Sequence, residues 1–166
     1  TQTPTPSDET TPSSGAVHAN ELTVGIAQDL DDSLDPYQMT AAGTREVMFN
    51  VFEGLVKPDS DGNYVCAVAS DYQVSEDGLT YTFTLRDGVV FHNGATCTPD
   101  DVLYSFETCA ATSVTSAVVT ALSAVTDTVV DGNQITMTLS APNSDFLSYV
   151  ASVYIVPADY ADQATK

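Results

Sequence analysis

The chain has 166 residues, with 4 basic side chains against 23 acidic ones and a formal net charge of -19. That balance excludes nucleic acid as a partner, because phosphate binding needs a basic footprint, and it excludes docking on an anionic membrane surface. A hydrophobic content of 43% suffices for a packed core, the length suits one domain or a large piece of one, and no apolar run is long enough to span a bilayer.

Residues 1–14 read TQTPTPSDETTPSS, and eleven of the fourteen are Ser, Thr or Pro. Nothing there offsets the entropy of ordering a backbone, so residues 1–20 are expected to form a disordered spacer, a stalk that holds a domain away from an anchoring point. From Glu21 the alternation of Leu22, Val24 and Ile26 predicts a strand with one buried face. Residues 44–56 carry Val47, Met48, Val51, Phe52 and Leu55 at helical spacing, with Thr44 as the cap and Lys57-Pro58 as the stop. Asp59 to Asn63 is a turn. Residues 72–75 and 79–86 predict a hairpin about Asp77-Gly78, with Leu79, Tyr81, Phe83 and Leu85 on one face.

Thr98-Pro99-Asp100-Asp101 predicts a helix start on three counts: a capping hydroxyl, proline in the first turn, and carboxylates at the positive end of the dipole. That helix, 99–110, is expected to bury Val102, Leu103 and Phe106. A second helix follows near 113–123. A hairpin across Asp131-Gly132-Asn133 joins 125–130 to 134–139. Residues 145–151 read as a short helix, and Ser152 to Val156 as a strand closed by Pro157.

The residues offer little catalytic chemistry. The carboxylates Asp29, Asp31, Asp32 and Asp35 suggest calcium, but an EF-hand loop begun at Asp29 puts Leu34 and Thr40 where Gly and Glu are required, and one begun at Asp59 puts Tyr64 and Ser70 there. No phosphate-binding, serine-hydrolase or zinc-protease motif occurs. His18 lies in the leader and His92 beside a turn. Cys66, Cys97 and Cys109 are too few for a disulfide scaffold or a zinc site; one bridge, Cys66 to Cys97, and three separate thiols both remain open. No cationic neighbour in sequence lowers a thiol pKa. A bond-making activity, a cofactor and a metal site are therefore not expected.

A train of segments is more specific: LDP at 34–36, FNVFEGLVK at 49–57, VASDYQVSEDGLTYTFTLRDGVVF at 68–91, HNG at 92–94 and TPDDVLYSFE at 98–107. Together they resemble the N-terminal part of the extracellular solute-binding proteins of family 5, the dipeptide, oligopeptide and nickel receptors of ABC importers. The resemblance spans residues 22–157. It implies a mixed α/β, type II periplasmic-binding-protein-like fold, of which residues 21–166 supply the N-terminal portion of lobe one. It implies a receptor on the outer face of the membrane or in the periplasm, lipid-anchored rather than spanning, that captures a peptide or another small solute, such as a nickel complex or a sugar, for the permease subunits. Family members are much longer and hold ligand between two lobes, so the chain reads as a fragment. Unpaired sheet edges then favour self-association. A stand-alone cell-surface interaction module is the rival reading.

The best-matched stretch, Ser75 to Glu107, is accounted for as scaffold. Arg86 within it is expected either to pair with a carboxylate or to cover apolar surface with its stem. By the resemblance, the ligand wall falls elsewhere: Ala27 and Gln28 at the end of the first strand, Met39, Gly43 and Thr44 after LDP, and Ser152, Val153 and Tyr154 before Pro157. Plain packing is the alternative for Met39 and Val153. Arg45 is the nearest cation, and both a terminus clamp and a solvent-facing side chain are open to it.

Overall fold

The computed structural model describes residues 23–27, 29–30, 34–112 and 116–160. The elements in chain order are α1 (Ala42–Met48), β1 (Val56–Pro58), β2 (Tyr64–Cys66), β3 (Ala69–Val74), β4 (Thr80–Leu85), α2 (Pro99–Ala111), α3 (Ala117–Leu122), β5 (Val125–Asp131), β6 (Gln134–Leu139) and α4 (Phe146–Val150). Four strands form an antiparallel sheet in the order β3-β4-β6-β5, and β1 and β2 make a separate two-stranded ribbon.

Period-two alternation builds the sheet. Tyr81, Phe83 and Leu85 of β4 and Ile135, Met137 and Leu139 of β6 all point to one buried face. They share a core with Val102, Phe106 and Cys109 of α2, Leu122 of α3, and Phe146 and Val150 of α4. Tyr81 packs on Phe146 with ring centroids 4.8 Å apart and donates its hydroxyl to the Asn143 carbonyl at 2.9 Å. On the opposite face Thr82 and Thr136 meet across the strands, their hydroxyl oxygens 3.1 Å apart. An aromatic and aliphatic interior under helices with a threonine exterior is what a sheet with one covered face requires.

Turn chemistry sets the register of both hairpins. Asp77 accepts from the Ser75 hydroxyl at 2.6 Å and from the Leu79 amide at 3.0 Å, while Gly78 takes a φ of 67°. Gly132 does the same at φ 58° between β5 and β6. At α2, Asp101 accepts from both the amide and the hydroxyl of Thr98, at 2.8 and 2.7 Å, closing the predicted helix start.

The structure departs from the sequence reading at five places. Residues 23–27 are exposed and lie in no strand, with Val24 68% exposed, because no described strand runs beside them to pair their backbone. Helix α1 stops at Met48, well short of residue 56, and its N-cap is Ala41; Thr44 is buried inside the helix. Past Met48 the chain leaves the helix through turn bonds from the Asn50 and Val51 amides to the Val47 and Met48 carbonyls, and at Gly54 it runs so close to other backbone that a Cβ would sit 3.0 to 3.2 Å from the carbonyl oxygens of Val153, Val56 and Ala151. Leu103 is half-buried rather than core. Residues 152–156 form no ladder; Ile155 donates one backbone bond to the Glu53 carbonyl at 2.9 Å. Arg86 meets no carboxylate among the described residues; it donates to the carbonyls of Ala67 and Ala69, both at 3.3 Å. The three cysteines are free thiols. The expected leader, residues 1–20, lies outside the described residues.

Candidate functional site

Two concave cavities open on either side of Tyr154. The smaller, 490 Å³, lies among the 36–39 loop, α1, β2, the C-terminal end of α2, α3 and the end of α4. The larger, 640 Å³, lies among the 49–54 turn, the 89–93 loop and the 151–160 segment. Phe49, Ala151 and Tyr154 line both and form the partition between them.

Short-range polar bonds hold the walls of the smaller cavity. Asp35 accepts from the Tyr37 amide and from the Gln38 side chain, each at 2.9 Å, which fixes the turn after Leu34. Tyr37 then reaches across the fold and donates its hydroxyl to the Tyr154 carbonyl at 2.7 Å. Burial raises the Tyr37 phenol well above the ordinary tyrosine range, so it stays a neutral donor. At the end of α4, Ser152 donates its hydroxyl to the Ser148 carbonyl at 2.9 Å. The next residues are latched from below: the Ser105 hydroxyl accepts from the Val156 amide at 2.9 Å, and the second oxygen of Asp101 accepts from the Ala158 amide at 2.8 Å.

Arg45 stands on this wall. It donates to the Met39 carbonyl at 3.3 Å, and its charge partly offsets the upward push of burial on the Tyr154 phenol. The larger cavity is aromatic: Phe52 sits 5.9 Å from Tyr154 and 6.3 Å from Tyr160, centroid to centroid. At its rim Lys57 and Glu53 neutralise each other at 2.6 Å.

Of the residues that the resemblance implied, Met39, Ser152 and Tyr154 come together on the smaller cavity, and Tyr154 also faces the larger one. Thr44 and Val153 are fully buried and line neither, and Gly43 is buried in α1. Ala27 is exposed and lines neither, and Gln28 lies outside the described residues. Sequence reasoning missed Tyr37, whose signal was its place directly after LDP, and it missed the aromatic patch made by Phe49, Phe52 and Tyr160. Among the described residues no cluster of His, Cys, Asp or Glu is arranged to hold a metal ion.

The family model for bacterial extracellular solute-binding proteins, family 5 Middle, matches residues 63–166. The dipeptide-binding protein of Lactococcus lactis subsp. cremoris (strain MG1363) is 44% identical over 75 residues, which are 45% of this chain and 14% of that protein. The glutathione-binding protein GsiB of Salmonella typhimurium (strain LT2) is 38% identical over 80 residues, 48% of this chain and 15% of that one. Among solved structures, the PBP AgaA of A. tumefaciens R10 in complex with agropinic acid superposes with a TM-score of 0.73 at 29% identity, covering 81% of this chain and 28% of AgaA. The matched regions thus span less than a third of each relative, and the mixed α/β fold is that of part of a periplasmic binding protein. The chain belongs to the bacterial extracellular solute-binding proteins of family 5.

Proposed function

We propose that this chain supplies part of lobe one of a receptor that captures peptides outside the cell membrane and delivers them to the permease subunits of an ABC importer. One observation carries the reading: Met39, Ser152 and Tyr154, from stretches far apart in sequence, share one concave wall in a member of family 5. Peptide leads because the relatives are named for a dipeptide and for glutathione, itself a small peptide. Nickel complexes and sugars follow. The receptor holds its ligand and changes no bond; a second lobe closes over the open wall by a hinge motion. The Ser/Thr/Pro-rich leader serves as the stalk between a lipid anchor and the lobe. Edges β3 and β5 are the faces through which copies of the lobe associate.

Calorimetry on the protein expressed from its complete reading frame tests this, with di- to pentapeptides, nickel–histidine and small sugars as probes. Peptides are expected to bind with a Kd in the micromolar range or tighter and to be recovered intact. Binding of none of these classes, or recovery of cleaved peptide, would refute the proposal.

A further inference from the structure

We propose that the open edge of β5 is a docking site for an extended, basic segment of another protein, which adds to the four-stranded sheet as one more strand. The site lies apart from the solute wall, since no residue of β5 lines either cavity. It goes beyond the receptor reading and does not depend on it.

The hydrogen-bond pattern fixes which backbone groups point out of that edge. Along a strand, successive residues turn their backbone groups to opposite sides. At the end of β6 the Leu139 amide donates to the Leu79 carbonyl on the β4 side, and the Ser140 amide donates to the Ala124 carbonyl on the β5 side, each at 2.8 Å. Thr136 and Gln134 therefore bond toward β5, where Val129 and Asp131 face them in register. The alternate residues Thr128 and Val130 turn their N–H and C=O groups outward, and no described strand runs beside them. Natural edges are often blunted by Lys, by Pro or by a cover. Strand β5 reads VTDTVVD, with neither residue, and six of its seven positions are exposed. Its one irregularity, between Val125 and Asp127, lies at the far end.

The side chains define what an added strand must carry. Asp127, Val129 and Asp131 stand on the face opposite the core, in register with Thr138, Thr136 and Gln134. Val129 is 52% exposed, and neither Asp has an ion pair among the described residues. An antiparallel strand bonded to Thr128 and Val130 sets one residue opposite each member of that row. Basic residues opposite the two carboxylates, with a β-branched residue on Val129 between them, complement it. This chain has no such stretch: its four cations, Arg45, Lys57, Arg86 and Lys166, are scattered singly. A second copy takes the same backbone bonds, but it brings a net charge of -19, and centred on Val129 it sets Asp127 against Asp131. The better-matched occupant is a basic strand from another protein, held by main-chain bonds and selected by charge.

The probe is the capped peptide acetyl-Arg-Thr-Val-Thr-Arg-amide. One control is the same peptide with both Thr nitrogens methylated, which keeps the charge and removes the donors that bond to β5. The other exchanges both Arg for Glu. On the protein from its complete reading frame, calorimetry is expected to show saturable one-to-one binding of the probe. Methylation, the Glu exchange and the double variant Asp127→Asn, Asp131→Asn are each expected to weaken it about ten-fold or more. Both substituted positions are exposed, so the variant keeps the wild-type circular dichroism spectrum. Hydrogen exchange is expected to slow on probe binding in β5 and not in β3, the other edge strand. Equal binding of the methylated probe would reduce the effect to charge attraction and overturn the proposal, and unchanged exchange in β5 would overturn it as well. A dimer whose β5 amides are protected before any probe is added would give the edge to a second copy, with the same consequence. Solute binding is a separate measurement, so each of these results leaves the receptor reading where it stands.

Discussion

Replacing Ser105 by alanine tests the latch that positions Tyr154. Ser105 is fully buried in α2; its hydroxyl donates to the Asp101 carbonyl at 2.7 Å, accepts from the Val156 amide at 2.9 Å and lies 3.3 Å from the Val156 carbonyl. Losing the first bond costs little, because a helix carbonyl still receives its own i+4 amide. Losing the second is different. Val156 is fully buried, so its N–H is left without a partner and away from water, which costs about 1–3 kcal/mol. Alanine's better helix propensity returns roughly 0.5 kcal/mol. The net loss of about 0.5–2.5 kcal/mol should lower Tm by roughly 1–10 °C for a chain of this size. The local readout is amide exchange: the Val156 N–H is slow in the wild type and is expected to exchange rapidly in Ser105→Ala, while the Phe83 amide in β4 keeps its protection. A variant that melts within a degree of wild type with a protected Val156 amide would refute the latch.

Three further outcomes follow from the same geometry. Gly54→Ala forces a Cβ against three backbone oxygens at 3.0 to 3.2 Å, so a loss of about 1–3 kcal/mol is expected in urea unfolding, and a wild-type midpoint would show that the crossing relaxes freely. Tyr37→Phe deletes the bond to the Tyr154 carbonyl and should cost about 0.5–1.5 kcal/mol; an unchanged thermal transition would mean that the hydroxyl holds nothing. Burial lifts the Cys97 and Cys109 thiols from an ordinary 9.0 to about 11, with the Asp101 charge adding to the rise at Cys97. The unfolded chain loses those protons first, so this contribution to stability is complete below about pH 9 and disappears as pH rises through 11. At pH 8 both thiols should label with iodoacetamide about 100-fold more slowly than free cysteine, and prompt labelling of the native protein would contradict their burial.

The parts of the fold that sequence made legible are those whose causes are local. The β3–β4 hairpin needs only Asp77, Gly78 and an alternation that keeps Tyr81, Phe83 and Leu85 on one side. The α2 start needs only Thr98 and Asp101. The parts that misled have remote causes. The periodicity of Val51, Phe52 and Leu55 fits a helix, yet α1 ends at Met48, and Gly54 lies close against the carbonyls of Ala151 and Val153, nearly a hundred residues away. The alternation of Val24 and Ile26 fits a strand, but an alternating pattern becomes a strand only where a neighbour takes its backbone bonds. The cavity was legible only in part for the same reason. Met39, Ser152 and Tyr154 could be placed by resemblance, but the partner that fixes Tyr154 is Tyr37, and no local pattern connects the two.

The segment from Ser75 to Glu107 carries most of the resemblance, and sequence reasoning assigned it to scaffold. Its geometry gives that assignment a sharper meaning. One oxygen of Asp101 closes the start of α2 on Thr98, while the other takes the Ala158 amide; one turn later Ser105 takes the Val156 amide. A single helical turn thus both begins α2 and holds the chain on the far side of Tyr154, the residue that divides the two cavities. From the other side, Tyr37 and Glu53 hold the carbonyl of Tyr154 and the amide of Ile155. Residues 154–158 have no strand ladder of their own, so their position is the sum of these side-chain and loop bonds. A wall held by separate bonds from α2, the 36–39 loop and the 53–54 turn responds to movement in any of them. The helix start is therefore scaffold one bond removed from the candidate ligand wall, and substitutions at Asp101 or Ser105 should alter solute affinity through the placement of Tyr154 without touching the solute.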